Sequence, residues 1–260
     1  ATKDRVQKSM SEATQTASQA RAASENVIAF QGVPGAYSDM ACRAVFPEMT
    51  TLPCTSFDEA FAAVRNGLAR YAMIPIENSS AGRVADIHHL LPGSGLHIVG
   101  EHFQKVEHQL LAPKGTTRDR IQTVHSHVQA LSQCREYTRR EGLRPVTHAD
   151  TAGAAKEVAE LGDPTRAAIA SALAAEIYDL QVLDANIQDI PHNTTRFIIM
   201  AEEPIDPPHD NGPVITTFVF RVRSVPAALY KALGGFATNG INITKLESYI
   251  IDGSFTVAQF

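Results

Sequence analysis

The sequence predicts an α/β protein with two lobes, followed by a small α+β unit. Between residues 26 and 202, short apolar runs alternate with amphipathic stretches of helical period. Such alternation is typical of mostly parallel sheets with helices on their faces, which bind ligands at the carboxyl ends of the strands. This region holds roughly 175 residues, more than an ordinary domain, so we expect two lobes rather than one sheet. Residues 203–213, rich in proline and acidic side chains, predict a linker.

Composition argues against several classes of protein. The 260 residues have a formal net charge of −5, whereas a nucleic-acid-binding surface needs concentrated positive charge. The sequence contains no run of about 20 apolar residues, so it predicts no membrane span. Residues 1–25 are polar and lack the apolar core of a secretory signal, so we expect a flexible extension and a cytoplasmic protein.

The cysteines and histidines do not predict a metal site. Cys42, Cys54 and Cys134 match neither a disulfide framework nor a zinc motif, so we expect buried thiols in a reducing compartment. His125 and His127 have no further ligand nearby in the sequence, and zinc requires at least three protein ligands. We therefore expect no metal site.

The first half of the chain supplies the elements of the first lobe. Ser56 and Glu59 match a capping box, so a helix begins after Ser56, and Asn66-Gly67 ends it. Gly32-Val33-Pro34-Gly35 predicts a turn between a buried strand and a helix. The other elements follow from apolar periodicity: strands at 27–30, 71–76 and 96–99, and helices at 38–46 and 83–91.

The second half of the chain continues the alternation and then returns to the first lobe. The expected elements are strands at 109–112, 121–124, 145–148 and 166–170, and helices at 127–141, 152–161 and 171–178. We expect the first lobe to contain about residues 26–103 and 191–202, and the second lobe about residues 104–190.

Residues 214–260 predict a βαββ unit. Strands are expected at 214–222, 241–249 and 255–260, a helix at 226–238, and a hairpin turn at Asp252-Gly253. Such a unit exposes a sheet edge, so we expect it to lack a closing helix and strand or to pair with another subunit.

Five segments resemble the successive signatures of prephenate dehydratases. They are Gly32 to Ser38, Ile74 to Gly82, Ser126 to Leu131, Asp150 to Ala155 and Asn193 to Phe197. The resemblance covers residues 26–201 and implies a type II periplasmic-binding-protein-like catalytic domain. Residues 214–260 resemble an ACT domain, the ferredoxin-like regulatory module of this family. The implied reaction is the decarboxylating dehydration of prephenate to phenylpyruvate in phenylalanine biosynthesis, a carbon–oxygen lyase reaction without a cofactor.

The resemblance implies catalytic roles for Thr195, Glu77 and Asn78. An alkanol releases its proton with great difficulty, so a directed hydrogen bond from Thr195 to the leaving oxygen is more plausible than full proton transfer. Glu77 is expected to supply the proton if burial raises its pKa. The alternative for Thr195 is a turn cap before the strand at 196–200.

The resemblance also implies substrate-binding residues. Arg196 suits a substrate carboxylate, although an internal salt bridge explains it equally well. Backbone amides near residues 80–82 and 151–153 are candidates for the other carboxylate. The full expected set is Ser79, Ser126, Gln129, Thr151, Arg196 and Phe197.

In this family, phenylalanine binds between the ACT domains of two subunits and inhibits. We therefore expect a homodimer or homotetramer. Tyr249-Ile250 stands where many relatives have Arg-Pro, which puts the strength of inhibition in doubt. The implied phenylalanine-binding residues are Ala228, Leu229, Asn239, Gly240, Ile241, Asn242, Glu247 and Ser248.

Three other functions fit parts of the pattern. An arogenate dehydratase performs the same elimination on the amino analogue of prephenate. A two-lobed solute-binding receptor shares the alternating architecture, and a non-catalytic amino-acid sensor shares the ACT unit.

Overall fold

The structure is a computed structural model that describes residues 24–208, 210, 212–251 and 254–260. The predicted amino-terminal extension therefore lies almost entirely outside the described residues, as does the predicted turn at Asp252-Gly253. Among the described residues, no helix combines the length and the apolar character needed to cross a membrane.

The first sheet contains six strands among the described residues. Its order is β2-β1-β3-β11-β5, and the short β4 pairs with β3. The strands are β1 (Val27–Gln31), β2 (Thr50–Cys54), β3 (Tyr71–Asn78), β4 (Gly82–Arg83), β5 (His97–Lys105) and β11 (Thr194–Ala201).

Helices cover both faces of this sheet, and alternate side chains of β1 contact helices on opposite faces. Ile28 and Phe30 pack against α1 (Tyr37–Val45), whereas Ala29 between them packs against α2 (Phe57–Arg65). Helix α3 (Ala85–Leu90) and a 3₁₀ turn (Leu91–Gly93) follow β4. The Ser56 side chain accepts a hydrogen bond from the amide of Glu59 at 3.1 Å, which confirms the predicted cap.

The second sheet has the order β10-β6-β9-β7-β8. Its strands are β6 (Gln109–Pro113), β7 (Thr123–His127), β8 (Arg144–His148), β9 (Arg166–Ala170) and β10 (Leu180–Asp184). The helices around it are α4 (Val128–Gln133), α5 (Arg135–Arg140), α6 (Thr151–Leu161) and α7 (Ala172–Ile177). The chain passes between the sheets twice, after β5 and before β11, so the two-lobed α/β prediction is confirmed.

The expectation of mostly parallel sheets is wrong, because both sheets are mixed. Strand β11 runs antiparallel to β3 and β5, and β6 runs antiparallel to β9 and β10. Strands β6 and β11 each enter their sheet after the chain passes from one lobe to the other. Neither is joined to its neighbour in the sheet by a βαβ unit, the connection that makes two strands parallel.

The predicted helix at 127–141 is divided in two at Cys134, whose φ of −117° is not helical. The Gln133 carbonyl accepts a hydrogen bond from the amide of Asp189 at 2.7 Å, and the Asp189 carboxylate accepts one from the amide of Glu136. A neighbouring segment thus supplies the partners that helix continuation would otherwise provide.

Gly35 allows the two lobes to touch. Its carbonyl accepts a hydrogen bond from Ser171 Oγ at 2.6 Å. Its φ is +88°, and a Cβ there would lie 2.8 Å from the Cα of Ala174 in α7. Only glycine combines that backbone conformation with so close an approach.

The carboxyl-terminal region departs from the predicted βαββ unit. Helix α8 (Ala228–Thr238) confirms the predicted helix, and β12 (Tyr249–Ile251) pairs with β13 (Ser254–Gln259). The strand predicted at 214–222 is wrong, since only Arg221 forms a bridge, to Gln259. The strand predicted at 241–249 is likewise absent up to Tyr249. In the stretch 214–222, only Phe220 and Arg221 have described backbone partners, in Phe260 and Gln259, and a strand needs partners along its length for its backbone groups.

Candidate active site

A cavity of about 330 Å³ lies between the two sheets. Both lobes contribute to its wall, with Asn78 and Thr195 from the first sheet and the segment after β7 from the second. The lining comprises Gln31, Gly32, Ala36, Tyr37, Ser38, Asn78, Val106, His108, His127, Gln129, Ala130, Gln133, Ala149, Asp150, Thr151 and Thr195. Of the expected site residues, Asn78, Gln129, Thr151 and Thr195 are therefore brought together.

Strand pairing places Asn78 beside Thr195. They are direct partners across the antiparallel pair β3–β11, so their side chains emerge on the same face. Asn78 Nδ2 donates a hydrogen bond to Thr195 Oγ1 at 2.9 Å. No other described group makes a hydrogen bond with Thr195 Oγ1, so its own hydroxyl hydrogen is available to a molecule in the cavity.

The backbone determines which end of the Asn78 amide faces Thr195. Asn78 Oδ1 accepts hydrogen bonds from the amides of Ser80 and Ala81, both at 2.9 Å. Backbone amides only donate, so the other end of the side chain is the nitrogen. The same contacts occupy two amides that were expected to bind a substrate carboxylate, and that expectation is wrong.

Polar side chains continue from Asn78 into the second lobe. Asn78 Nδ2 also donates to Asn193 Oδ1 at 2.8 Å, and Asn193 Nδ2 donates to Gln133 Oε1 at 3.0 Å. His108 Nε2 lies 2.8 Å from the same Gln133 oxygen. His108 Nδ1 lies 2.8 Å from the Tyr37 hydroxyl. This polar chain joins β3, β11, α4 and α1.

Burial favours the neutral forms of the two titratable side chains at the far end of this chain. His108 is 2% exposed, and desolvation lowers its pKa. Desolvation also raises the pKa of Tyr37 well above its usual range. Sequence reasoning missed Tyr37, His108 and Gln133 as site residues. Tyr37 and Gln133 did lie within or near the motifs, whereas no sequence signal marked His108.

In the part of the chain that the structure describes, three helix amino termini border the cavity. Residues 36–38 begin α1, residues 127–129 begin α4 and residues 150–151 begin α6. Unpaired amides and the helix dipole favour an anion at such ends. None of the described lining residues is a lysine or an arginine, so neutral donors dominate the wall. Asp150 already accepts a hydrogen bond from the amide of Gly153 at 2.6 Å, which leaves the amides before Gly153 for a ligand.

Glu77 lies on the opposite face of β3 from Asn78. Its side chain is 41% exposed and forms a salt bridge of 3.1 Å with Lys245 of the carboxyl-terminal region. It does not line the cavity, and the expectation that it is buried is wrong. Ser79 also stays outside the lining, because its hydroxyl donates to the His192 carbonyl at 3.0 Å and accepts from the Thr194 amide at 2.9 Å.

Arg196 and Phe197 are not substrate contacts in this geometry. Arg196 pairs with Glu77 across β3–β11 and therefore faces outward. Its guanidinium binds Glu101 Oε2 at 2.7 Å, so the alternative of an internal salt bridge is correct. Phe197 is 1% exposed and packs in the core with Phe30 and Met73.

Ser126 is fully buried within the second sheet. Its hydroxyl donates to the Ile169 carbonyl at 2.6 Å, so this side chain connects β7 to β9 and does not reach the cavity. Its role is structural.

A second cavity of about 460 Å³ lies at the start of α8. Ala228 and Leu229 line it together with Val222 and Phe260. Asn239 to Asn242 lie at the other end of the helix, about 15 Å away at 1.5 Å rise per residue. The expected phenylalanine-binding residues therefore do not meet in one cavity of a single chain.

Comparison with known proteins identifies relatives of the whole two-lobed region. The family model described as "Prephenate dehydratase" matches residues 28–205. A bifunctional N-acyl-homoserine lactone acylase/prephenate dehydratase of Komagataeibacter europaeus is 53% identical over 236 residues, covering 91% of this chain and 84% of that protein. An arogenate dehydratase/prephenate dehydratase of Arabidopsis thaliana, named chloroplastic, is 43% identical over 235 residues. The match covers 87% of this chain and 60% of the Arabidopsis protein.

A solved structure extends this similarity to three dimensions. The prephenate dehydratase of Arthrobacter aurescens, in complex with L-Phe, superposes with a TM-score of 0.77 at 28% identity. The alignment covers 90% of this chain and 78% of that one.

Proposed function

The chain belongs to the prephenate dehydratase family, and we propose that it converts prephenate to phenylpyruvate by decarboxylating dehydration. Members of this family are hydro-lyases. The observation that carries the proposal is the hydrogen bond from Asn78 to Thr195 in a cavity bordered by three helix amino termini.

The reaction breaks two bonds of the substrate and needs no redox step. The bond to the ring carboxylate breaks, carbon dioxide leaves, and the electron pair enters the ring. The ring carbon–oxygen bond breaks, and the hydroxyl leaves as water after gaining a proton. Because hydroxide leaves poorly, a donor at that oxygen lowers the barrier.

Thr195 is suited to assist the leaving oxygen. Asn78 occupies a lone pair of Thr195 Oγ1, which leaves the hydroxyl hydrogen pointing elsewhere. A hydrogen bond from this hydroxyl strengthens as negative charge develops on the leaving oxygen, the condition for lowering a barrier. The proton itself comes from water or a neighbouring group, since an alkanol does not release it.

The two carboxylates of prephenate require partners other than arginine or lysine. The amino termini of α1, α4 and α6 supply dipoles and free amides around the cavity. Gln129 and Thr151 lie at two of these termini and add side-chain donors. Neutral donors leave the ring carboxylate less stabilised than an ion pair would, which favours its loss as neutral carbon dioxide.

The test is product formation by the purified chain. Incubation with prephenate is expected to yield phenylpyruvate, measured by its absorbance in alkali. Incubation with arogenate, followed by chromatography for phenylalanine, tests the alternative that several plant relatives suggest by name. The absence of both products would contradict the proposed function, and faster turnover of arogenate would reassign the substrate.

A second activity is favoured by one relative. The protein of Komagataeibacter europaeus is named as an N-acyl-homoserine lactone acylase as well as a dehydratase, and it is 53% identical to this chain. We propose the same second activity here, measured as release of homoserine lactone from N-acyl-homoserine lactones. Prephenate dehydration without any such release would contradict it.

We also propose regulation by phenylalanine across two copies of the chain. The structure of the Arthrobacter relative contains L-Phe. The expected binding residues lie at both ends of α8, so two copies are needed to complete one site. Exposed apolar side chains in the same region fit such pairing, namely Val214, Ile215, Phe218, Val219, Ile241, Ile243 and Leu246.

Saturating phenylalanine is expected to raise the melting temperature and to stabilise a dimer or tetramer, measured by light scattering after size exclusion. An unchanged melting temperature and mass would contradict this regulation. We also propose a cytoplasmic location. The Arabidopsis relative is named chloroplastic, so cell fractionation is needed to test this location.

A further inference from the structure

His108 and Tyr37 have no role in the mechanism above, although they form the far end of the polar chain. His108 lies between the crossing segment and β6, and Tyr37 lies in the first turn of α1. Their contacts join the two lobes in the wall of the cavity. Whether they influence the reaction depends on the direction in which each hydrogen bond runs.

The direction begins at Asn78. Since Asn78 Oδ1 accepts from two backbone amides, its nitrogen donates to Asn193 Oδ1. The Asn193 oxygen is thereby an acceptor, and its nitrogen donates to Gln133 Oε1. Each amide orientation follows from the one before it, and a reversal anywhere would place two donors or two acceptors face to face.

This direction determines the tautomer of His108. Gln133 Oε1 is an acceptor, so the His108 Nε2 that faces it at 2.8 Å carries a hydrogen. In a neutral imidazole the other nitrogen is then unprotonated. His108 Nδ1 accordingly faces the Tyr37 hydroxyl as an acceptor at 2.8 Å. That hydroxyl also lies 3.0 Å from the Glu107 carbonyl, so its single hydrogen is shared between two acceptors. Burial favours this neutral form, since it lowers the pKa of His108.

The same arrangement orients the Gln133 side chain. Two donors, Asn193 Nδ2 and His108 Nε2, hold its oxygen away from the cavity. Gln133 lines the cavity, and no described group accepts a hydrogen bond from its Nε2. The amide nitrogen is therefore the polar end that remains for a ligand.

We propose that His108, held by Tyr37, is a positioning residue for substrate binding. As the Nε2–H tautomer, it fixes the Gln133 oxygen and thereby presents the Gln133 amide nitrogen to an acceptor oxygen of the substrate. In this role it acts through Gln133 and transfers no proton. The kinetic part of this proposal rests on the proposed prephenate dehydratase function.

A matched pair of substitutions tests which imidazole nitrogen matters. His108→Gln places an amide nitrogen near the position of Nε2, whereas His108→Asn places one near Nδ1. We expect His108→Gln to retain kcat/KM for prephenate within about threefold and His108→Asn to lose about tenfold, the scale of one lost hydrogen bond. Equal losses in both variants, or a greater loss in His108→Gln, would overturn the proposal.

A double-mutant cycle separates positioning from general destabilisation. Because His108 acts through Gln133, His108→Asn is expected to change kcat/KM less than twofold when Gln133→Leu is already present. A full tenfold loss in that background would show that His108 acts by another route. The melting temperatures of the wild type, the two single variants and the double variant identify any loss of kcat/KM that comes from a folding defect. If His108→Asn has such a defect, His108→Gln remains as the second variant that tests the proposal.

The tautomer is measurable without any enzymatic activity. In the ¹⁵N-labelled protein, the His108 imidazole is expected to show a protonated Nε2 and an unprotonated Nδ1, assigned by the resonances lost in His108→Gln. A protonated Nδ1 with an unprotonated Nε2 would overturn the proposal directly. Because this spectrum needs no substrate, it distinguishes failure of the positioning role from failure of the proposed function.

Discussion

The two faces of the strand pair β3–β11 differ in what their side chains contact, although the same two motifs supply both. On the cavity face, Asn78 and Thr195 are joined by a hydrogen bond of 2.9 Å. On the outer face, their neighbours Glu77 and Arg196 are directly paired in register but bind elsewhere. Successive residues of a strand point to opposite faces, so half of each motif is excluded from the cavity.

This difference shows that a motif identifies a strand, not a set of equivalent site residues. Glu77 binds Lys245, and Arg196 binds Glu101 beside the Phe103 ring. These contacts tie the outer face to the carboxyl-terminal region and to β5. The cavity face should carry the chemistry, and the outer face should carry connections between elements.

The largest effect is expected from Thr195→Ala, which removes the donor to the leaving oxygen. Turnover of prephenate should fall at least about 10²-fold, the usual scale for one transition-state hydrogen bond, with little change in melting temperature. Thr195→Ser keeps the hydroxyl and is the matched control, expected to stay within about tenfold of the wild type. Turnover of Thr195→Ala near the wild-type value would remove Thr195 from the mechanism.

A smaller loss is expected from Asn78→Asp. A carboxylate only accepts hydrogen bonds, so the variant can no longer donate to Thr195 and Asn193, and kcat/KM should fall about 30-fold. Asn26→Asp removes a single donated hydrogen bond, to the Glu48 carbonyl, at a distant exposed position. The two variants should differ by at least about tenfold in kcat/KM, and similar values would indicate that the donated hydrogen bonds are unimportant.

The outer face should tolerate Glu77→Gln. This change removes the charge that pairs with Lys245 but leaves the cavity lining intact, so kcat/KM for prephenate should change less than about threefold. Lys245→Met removes the other half of this pair, together with the ion pair between Lys245 and Glu247, and should behave alike. A tenfold loss confined to Glu77→Gln would return Glu77 to the reaction and would contradict the assignment of faces.

The sequence predicted the α/β architecture, the two lobes and the Ser56 cap because apolar periodicity and capping are local signals. It missed β2 and β10, which are edge strands with exposed positions, and Pro53 in β2 weakens the strand pattern further. The strand predicted at 214–222 showed the opposite failure. Its pattern alternates correctly, but the described residues supply backbone partners only at its end, where Phe260 and Gln259 lie beside Phe220 and Arg221.

The candidate site was predictable only in part. Thr195 and Asn78 lie in recognisable motifs, and both line the cavity. Which of two adjacent residues faces the cavity depends on strand register, and this is why Glu77 and Arg196 were assigned incorrectly to it. His108 contacts Tyr37 and Gln133, 71 and 25 residues away, and no local pattern records contacts over such separations.

The most direct test compares two neighbouring residues of β11 in one assay. Thr195→Val keeps the β-branched shape and removes the hydroxyl, and Arg196→Met keeps the length of the side chain and removes the charge. We expect kcat/KM for phenylpyruvate formation from prephenate to fall at least about 10²-fold in Thr195→Val and less than about threefold in Arg196→Met. Comparable losses in the two variants, or a greater loss in Arg196→Met, would contradict the account.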